Sequence, residues 1–356
     1  MGERYKIRGV FLIVFAYIGA VVGAGFASGQ EIGQFFVRFG ANGLIGIIIA
    51  TICFAFLGGL LLYVAHYEKA STYQEILGLL FSSRVLAIID VGLAVFLFLG
   101  ISTMLSASGA VFVEHLFLPK NLGIWLAFLL VVFFLLAGKK GLVFSFNILV
   151  PIKLILILGI SSYASFFTGL NNVSGSWRLL SSYPMGYSLF YSLLYVGYNF
   201  AYALVVLVAY QSLSSKRTGV YGGICGGLVL GLLLLLTYLA LSKYLPLVLS
   251  YEVPMLFVAG EISRSAKYIY TFVLWLGILT TALANTYGFS QRLAYFTKLN
   301  YKFCLLLSLI LALPLARIDF SVLVGVVYPL FGLLGLIIIL ALIYKATKDI
   351  LRELYY

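Results

Sequence analysis

Long apolar runs recur from one end of the chain to the other, and the polar gaps between them are short. Runs of about 17–25 apolar residues read as membrane-spanning helices. Ten fit, over approximately 9–38, 43–65, 85–112, 122–138, 142–168, 184–211, 218–242, 268–291, 303–316 and 322–344. The ninth is short and ends at Pro314. Two of the ten interrupt the apolar pattern near their middle. The first contains "VVGAGFASGQE", Val21 to Glu31, with three glycines, a serine, a glutamine and a glutamate. The sixth contains "YSLLYVGYNFAYALVVL", Tyr191 to Leu207, where Gly197 and Asn199 fall mid-span among Tyr191, Tyr195, Tyr198 and Tyr202.

These interruptions carry the chemistry. Glycine costs about 1 kcal/mol relative to alanine in a helix interior, so Gly23 and Gly25 weaken the first span where they stand. Glycine also lets a ligand reach the backbone. Unwound backbone at membrane depth is tolerated only where it lines protein or a cavity. A second half-helix starting near Ser28, itself a cap residue, would offer N–H groups and a positive dipole end to an anion such as a carboxylate. The same glycines also suit close packing of small residues between helices. Interruption of both the first and sixth spans favours the unwound reading, because an inverted five-helix repeat places its discontinuous helices there. Such a repeat divides the chain into 1–168 and 169–356 within one membrane domain, with the solute site where the breaks meet. The candidate contacts are Gly23, Ala24, Gly25, Ser28 and Glu31 from the first span, and Tyr195, Gly197, Tyr198, Asn199 and Tyr202 from the sixth. Glu31 suits pairing with a substrate amine, carrying a proton, or capping the half-helix. The tyrosines at helical spacing suit either a solute wall or ordinary packing.

Composition agrees with the pattern. The 356 residues are 63% hydrophobic and only 10% charged, against about 25% charged in a soluble domain; mean hydropathy is +1.13. The net charge of +12 does not indicate nucleic acid, because the basic residues cluster between spans. With a cytoplasmic N-terminus, one side of the membrane receives Arg4, Lys6, Arg8, Lys69, Arg84, Lys139, Lys140, Lys216, Arg217, Arg292, Lys298, Lys302, Lys345, Lys348 and Arg352. The other receives Arg38, Lys120, Arg178, Lys243, Arg264, Lys267 and Arg317, a ratio of 15 to 7. That bias predicts an all-α, multi-pass protein of ten spans with both termini in the cytoplasm, and the short loops fit a bacterial or archaeal inner membrane. No cleavage-site pattern follows the first apolar run, so no signal peptide is expected. Cys53, Cys225 and Cys304 lie in apolar segments and read as small hydrophobes. His66 and His115 have no ligand set at metal spacing.

The stretches "IGAVVGAGFASGQE" and "FGANGLIGIIIATICFAFLGGLLL" resemble the first two spans of leucine-transporter-fold proteins, within the amino acid–polyamine–organocation superfamily, and are most similar to the YkvI-like membrane protein family. The resemblance implies alternating access around a central site in a five-plus-five inverted repeat. It also implies a coupling position between the first and eighth spans. In sodium-coupled members, backbone carbonyls and two adjacent hydroxyls hold the ion. Gly19 and Val22 match the first-span carbonyls, and "GILTTALAN" supplies the Gly277 carbonyl with the Thr280 and Thr281 hydroxyls. Neutral oxygens suit a hard cation, although paired threonines also bond back to their own helix. In sodium-independent members a fifth-span lysine amine stands in the ion's place, and "IKLILIL" puts Lys153 in that pattern. An ionisable residue at that depth faces a cavity or a partner, and an amine there can serve as the proton carrier; snorkelling toward the interface is the competing account. One position cannot hold both cations, and Lys153 is favoured. A second sodium site, which needs an asparagine after the first-span glycines, is not expected, because Phe26 stands there.

The remaining polar residues carry less. Asp90 suits an ion pair near the start of the third span, and Ser102, Ser106 and Ser108 suit tight packing. Asn147 and Asn285 suit hydrogen bonds between helices. The apolar segment from Ser242 to Lys267, broken by Pro246 and Pro254, suits a lid over an outer vestibule. No nucleophile elbow, phosphate loop or intramembrane protease pair occurs, so neither an enzyme nor a cofactor is expected. The expected activity is secondary transport of a small amphoteric solute, an amino acid or organic amine, coupled to H+ or Na+. The solute and the lipid bilayer are the expected partners. A channel would need a continuous polar lining, which the mid-depth clustering does not give; a non-transporting scaffold or receptor on the same fold stays open.

Overall fold

The first apolar stretch forms three helices rather than one: α1 (Gly2–Val21), α2 (Ala24–Ser28) and α3 (Gln30–Phe35). The structure is a computed structural model that describes residues 2–136, 139–167 and 183–355, with side chains over 9–136, 151–167, 183–212 and 214–349. The expected boundary at 168–169 lies outside the described residues. So do the side chains of Asn147, Arg4, Lys6, Arg8, Lys139, Lys140, Arg178 and Arg352. The later helices are α4 (Ala41–Tyr67), α5 (Tyr73–Leu80), α6 (Ser83–Leu116), α7 (Lys120–Leu135), α8 (Lys139–Phe167), α9 (Met185–Ala209), α10 (Lys216–Ser242), α11 (Pro254–Ile262), α12 (Arg264–Thr297), α13 (Tyr301–Ala312) and α14 (Phe320–Tyr355). Six of these, α4, α6, α9, α10, α12 and α14, are long and apolar enough to cross a membrane, and four further apolar helices are shorter. No strand occurs among the described residues.

Local chemistry sets several boundaries. Thr72 and Ser263 cap α5 and α12 through their hydroxyls, and Asn300 caps α13 through its side-chain oxygen. Ser215 and Thr218 form a reciprocal capping box at α10, which satisfies donors left free at a helix start. The polar ends are tied by ion pairs: Arg292 to Asp90 at 2.8 Å and Lys345 to Glu68 at 2.6 Å at one end, Lys120 to Asp319 at 2.9 Å at the other.

The sixth span departs from expectation. Residues Met185–Ala209 form one continuous helix, with no interruption at Gly197 or Asn199. Gly197 instead lets α9 and α14 touch. A Cβ there would overlap the Gly332 carbonyl oxygen and lie 3.2 Å from the Leu336 nitrogen, and Gly335 in turn abuts the Gly197 backbone. Asn199 turns its amide back one turn to the Tyr195 carbonyl at 3.0 Å. The glycine therefore serves close helix approach, the use common at packed membrane interfaces.

The segment between α10 and α12 folds over α2 and α3. Met255 packs against Gly29, which holds φ 79° between α2 and α3, and Leu249 lies beside Gly33. Met255, Val253 and Val258 are fully buried. Glu114 of α6 accepts the Glu252 and Val253 N–H groups at 2.8 and 3.3 Å, and Glu252 accepts the Phe320 N–H. The two ends of the bundle differ in packing: every residue of α6 from Gly100 to Phe112 is buried, whereas most of Ser83–Leu99 is not.

Candidate substrate and coupling site

The chain leaves helical geometry at Val22 and Gly23. The Val22 carbonyl, freed from the helical ladder there, accepts a hydrogen bond from Lys153 Nζ at 2.5 Å. Lys153 is 1% exposed and has no carboxylate partner among the described residues. Its stem passes Gly277 of α12, whose Cβ position lies 3.6 Å from Lys153 Cδ and 3.5 Å from both Ala24 Cα and Ala27 Cβ. The lysine is thus clamped between α2 and α12, with its amine turned inward to the break. Thr281 Oγ accepts the Ala24 N–H at 3.2 Å and donates to the Gly277 carbonyl at 2.9 Å. Thr280 donates to its own helix, at Leu276 and Gly277. Val22, Lys153, Gly277, Thr280 and Thr281 therefore meet at one place. Gly19 lies almost one turn earlier in α1 and is half-buried.

The other side of the segment faces α9. Glu31, 4% exposed, accepts the Tyr198 hydroxyl at 2.6 Å. Its carboxylate folds back over Gly25, where a Cβ would overlap it. That fold is possible because Gly25 has no side chain. Ser28 is occupied locally, donating to the Gly25 carbonyl at 2.8 Å and accepting the Gln30 N–H at 3.1 Å. Ala27 N–H goes to Gly23 O and Gly29 N–H to Phe26 O, each at 3.0 Å. The segment's N–H groups are thus partly spent, which weakens the expected seat for a carboxylate.

Aromatic rings pack around Tyr198, the partner of that carboxyl group. Tyr198 meets Phe35, Tyr195 and Tyr328 at 5.7, 5.5 and 4.9 Å between ring centroids. Phe96 joins Tyr202 at 5.0 Å and Phe331 at 4.3 Å. Phe35, Phe96, Tyr328 and Phe331 were not among the expected site residues. Only Tyr328 left a signal, a polar ring before Pro329 inside an apolar span. Gly23, Thr281, Ala284 and Tyr202 remain half-buried, a partly accessible strip beside the break. Gly197 and Asn199 do not face α2; they serve the contact with α14 and the turn of α9.

Other candidates resolve into structure. Asp90 pairs with Arg292, Ser106 bonds the Ile318 carbonyl and Ser108 the Gly123 carbonyl. His66 bonds the Leu62 and Ser214 carbonyls. Asn285 packs over Gly100, and neither of its side-chain polar atoms finds a hydrogen-bond partner. No cluster of metal-ligand residues occurs among the described residues.

No family model matches the chain. The uncharacterized membrane protein YkvI of Bacillus subtilis (strain 168) is 32% identical over 335 residues, 94% of this chain and 95% of the relative. The uncharacterized protein YyaD of the same strain is 26% identical over 92% of this chain and 94% of its own length. Among solved structures, the inward-facing conformation of Mhp1 is similar with a TM-score of 0.59 at 16% identity, covering 92% of this chain and 73% of Mhp1. Mhp1 as a nucleobase-cation-symport-1 family transporter, closed with bromovinylhydantoin bound, gives 0.55 at 15% identity over 89% of this chain and 74% of Mhp1. A variant manganese transporter of Eremococcus coleocola gives 0.60 at 14% identity over 91% and 76%. These neighbours are leucine-transporter-fold transporters, not enzymes, and at such identities they establish the fold.

Proposed function

The chain belongs to the YkvI family of multi-pass membrane proteins, and from that premise we propose that it is a secondary active transporter for a small solute. The supporting observation is the break at Val22–Gly23, flanked by two buried ionisable side chains, Lys153 and Glu31. Membrane interiors hold such groups at a cost, and they mark solute or proton routes. The transporter fold of the structural neighbours favours the same reading. On it, six long and four shorter apolar helices make ten spans in two inverted halves of five, with both termini in the cytoplasm of an inner membrane. Among the described residues, only the first span is discontinuous. The solute is an amino acid or organic amine bound between α2, α3 and α9.

The coupling ion is H+ rather than Na+ in this proposal. The Val22 carbonyl, one of the expected sodium ligands, is engaged by the Lys153 ammonium. A sodium ion there would face that ammonium. The amine thus takes the ion's place, and its proton is the exchangeable charge. The Thr281 bond to Ala24 N–H then ties α12 to the break, so a change at Lys153 reaches the solute segment directly.

Purified protein in proteoliposomes tests this. Saturable uptake driven by an imposed pH gradient, and not by a sodium gradient, is the expected result. Flux that does not saturate indicates a channel. Undiminished pH-driven uptake by Lys153→Ala would reject the lysine as proton carrier.

A further inference from the structure

The substrate site proposed above contains a buried carboxyl group with no basic partner and a cluster of aromatic rings, and this combination selects a charge sign. Glu31 is buried with one oxygen on the Tyr198 hydroxyl. Its other oxygen has no hydrogen-bond donor among the described residues. No arginine, lysine or histidine pairs with it. The nearest buried ammonium described at the break, Lys153, is directed at the Val22 carbonyl on the α12 side, whereas Gly25, Glu31 and Tyr198 meet on the α9 side. A carboxylate left this way in a low-dielectric interior is costly unless a positive group completes it.

The wall around Glu31 points the same way. Phe35, Tyr195 and Tyr328, from three helices, pack on the Tyr198 ring that bonds Glu31, and Tyr202, Phe96 and Phe331 form an adjoining cluster. Aromatic faces are negative and attract cations, most strongly where water is excluded. The Tyr195 hydroxyl is wholly buried without a hydrogen-bond partner, so its oxygen is free to accept from an ammonium. An anion would meet the Glu31 carboxyl and the rings instead, and of the N–H groups around the break those of Ala24, Ala27, Gly29 and Gln30 are already bonded, which leaves Gly25 and Phe26.

We infer that the recognised end of the solute is a positively charged amine or ammonium without a carboxylate beside it, so that the substrate is an organic cation rather than a zwitterionic amino acid. This rests on the transporter reading for its biological meaning, but binding tests it separately. Glu31 supplies the counter-charge, the tyrosines the ring faces, and Gly25 the space in which the carboxylate sits.

The test uses three probes on one skeleton: phenethylamine, phenylalanine and phenylacetate, each titrated against the purified protein while the melting midpoint is followed. A ligand that binds only the folded state raises the midpoint with concentration. Phenethylamine is expected to raise it, phenylalanine by less, and phenylacetate not at all. Glu31→Gln is expected to reduce the phenethylamine response at least tenfold in concentration, and Glu31→Asp to retain part of it. A larger response to phenylalanine or phenylacetate than to phenethylamine in the wild type overturns the inference, whatever the variants do. So does a phenethylamine response unchanged in Glu31→Gln, or no response to phenethylamine, putrescine or choline. Saturable uptake of phenylalanine in preference to the amine would sink the cation class and leave the transporter standing. Amine binding without any saturable flux would do the reverse.

Discussion

Replacing Gly197 with alanine decides between the two uses of a mid-span glycine, because they predict opposite signs. In a continuous helix, Gly→Ala favours folding by about 1 kcal/mol through helix propensity alone. The contact with α14 opposes it. A Cβ at 197 would overlap the Gly332 carbonyl oxygen and stand 3.2 Å from Gly332 C and Leu336 N. All are backbone atoms and cannot rotate away. The reciprocal position is as tight: a Cβ at Gly332 would lie 2.6 Å from the Leu194 carbonyl oxygen and 2.9 Å from its Cα. Ordinary carbon contacts need about 3.5–4.0 Å, so α9 and α14 must separate by roughly 0.5–1 Å, which forfeits a quarter to a half of each contact across the interface. With on the order of 40 heavy-atom contacts of about 0.15 kcal/mol each, the loss is about 1.5–3 kcal/mol, within the range for overpacked cores. The net effect is a destabilisation of about 0.5–2 kcal/mol, and for a chain of 356 residues the melting midpoint should fall by about 1–3 °C. Scanning calorimetry or tryptophan fluorescence at one fixed heating rate in the same detergent reads it, since membrane-protein melting depends on scan rate. Gly332→Ala should behave alike. A midpoint unchanged or raised in Gly197→Ala would refute the packing account.

Other perturbations test the site and its lid. Gly25→Ala should displace the Glu31 carboxyl group from its seat and break the Tyr198 bond, at about 0.5–1.5 kcal/mol for a net hydrogen bond; solute binding by calorimetry should weaken as in Glu31→Gln, and full affinity would disprove the placement. The wild-type melting midpoint should be equal in sodium and potassium chloride at matched ionic strength, and a sodium-specific rise would put the ion at Val22 in place of the Lys153 amine. Lys153→Met should lower the midpoint by the equivalent of about 1–3 kcal/mol, because the Val22 carbonyl is left buried without its donor. Burial pushes the Glu252 carboxyl above its ordinary value of 4.5, against the opposing pull of the Phe320 N–H and the Lys120 charge. The folded state therefore holds that proton more tightly than the unfolded chain. Its contribution to stability is complete below 4.5 and is lost as pH rises through the raised value, so Glu252→Gln should flatten the melting-versus-pH curve just above 4.5, and an unaltered slope would show that another group titrates.

How far the chain could be read in advance differs between its two interrupted spans. Both carry mid-span glycines, and a glycine bends or packs according to what stands opposite it. In the first span two glycines, Gly23 and Gly25, stand within three residues, and the helix stops at Val21. In the sixth, the deciding residues are Gly332 and Gly335 on α14, far along the chain and invisible to any local pattern. Period alone fixed which tyrosines share a face, since Tyr195 and Tyr198 lie one turn apart, and Glu31 was conspicuous as an acid at membrane depth. Their meeting was not legible. It depends on Glu31 reversing over Gly25, a fold that requires the left-handed turn at Gly29 between α2 and α3, and on Phe35 filling the space between Tyr195 and Tyr198. Phe96 and Phe331 read as ordinary apolar residues because in composition they are. Lys153 shows the limit most sharply. Its own chemistry demanded a partner without naming one, and only the family resemblance, which sets a lysine amine where the Val22 carbonyl would hold an ion, pointed to it. The partner is a carbonyl oxygen that exists as a free acceptor only because another helix breaks, so no pairing of side-chain types along the sequence could have found it. Broken backbone supplies acceptors that composition does not count, and that is why a chain this poor in charge can still hold an ammonium at its centre.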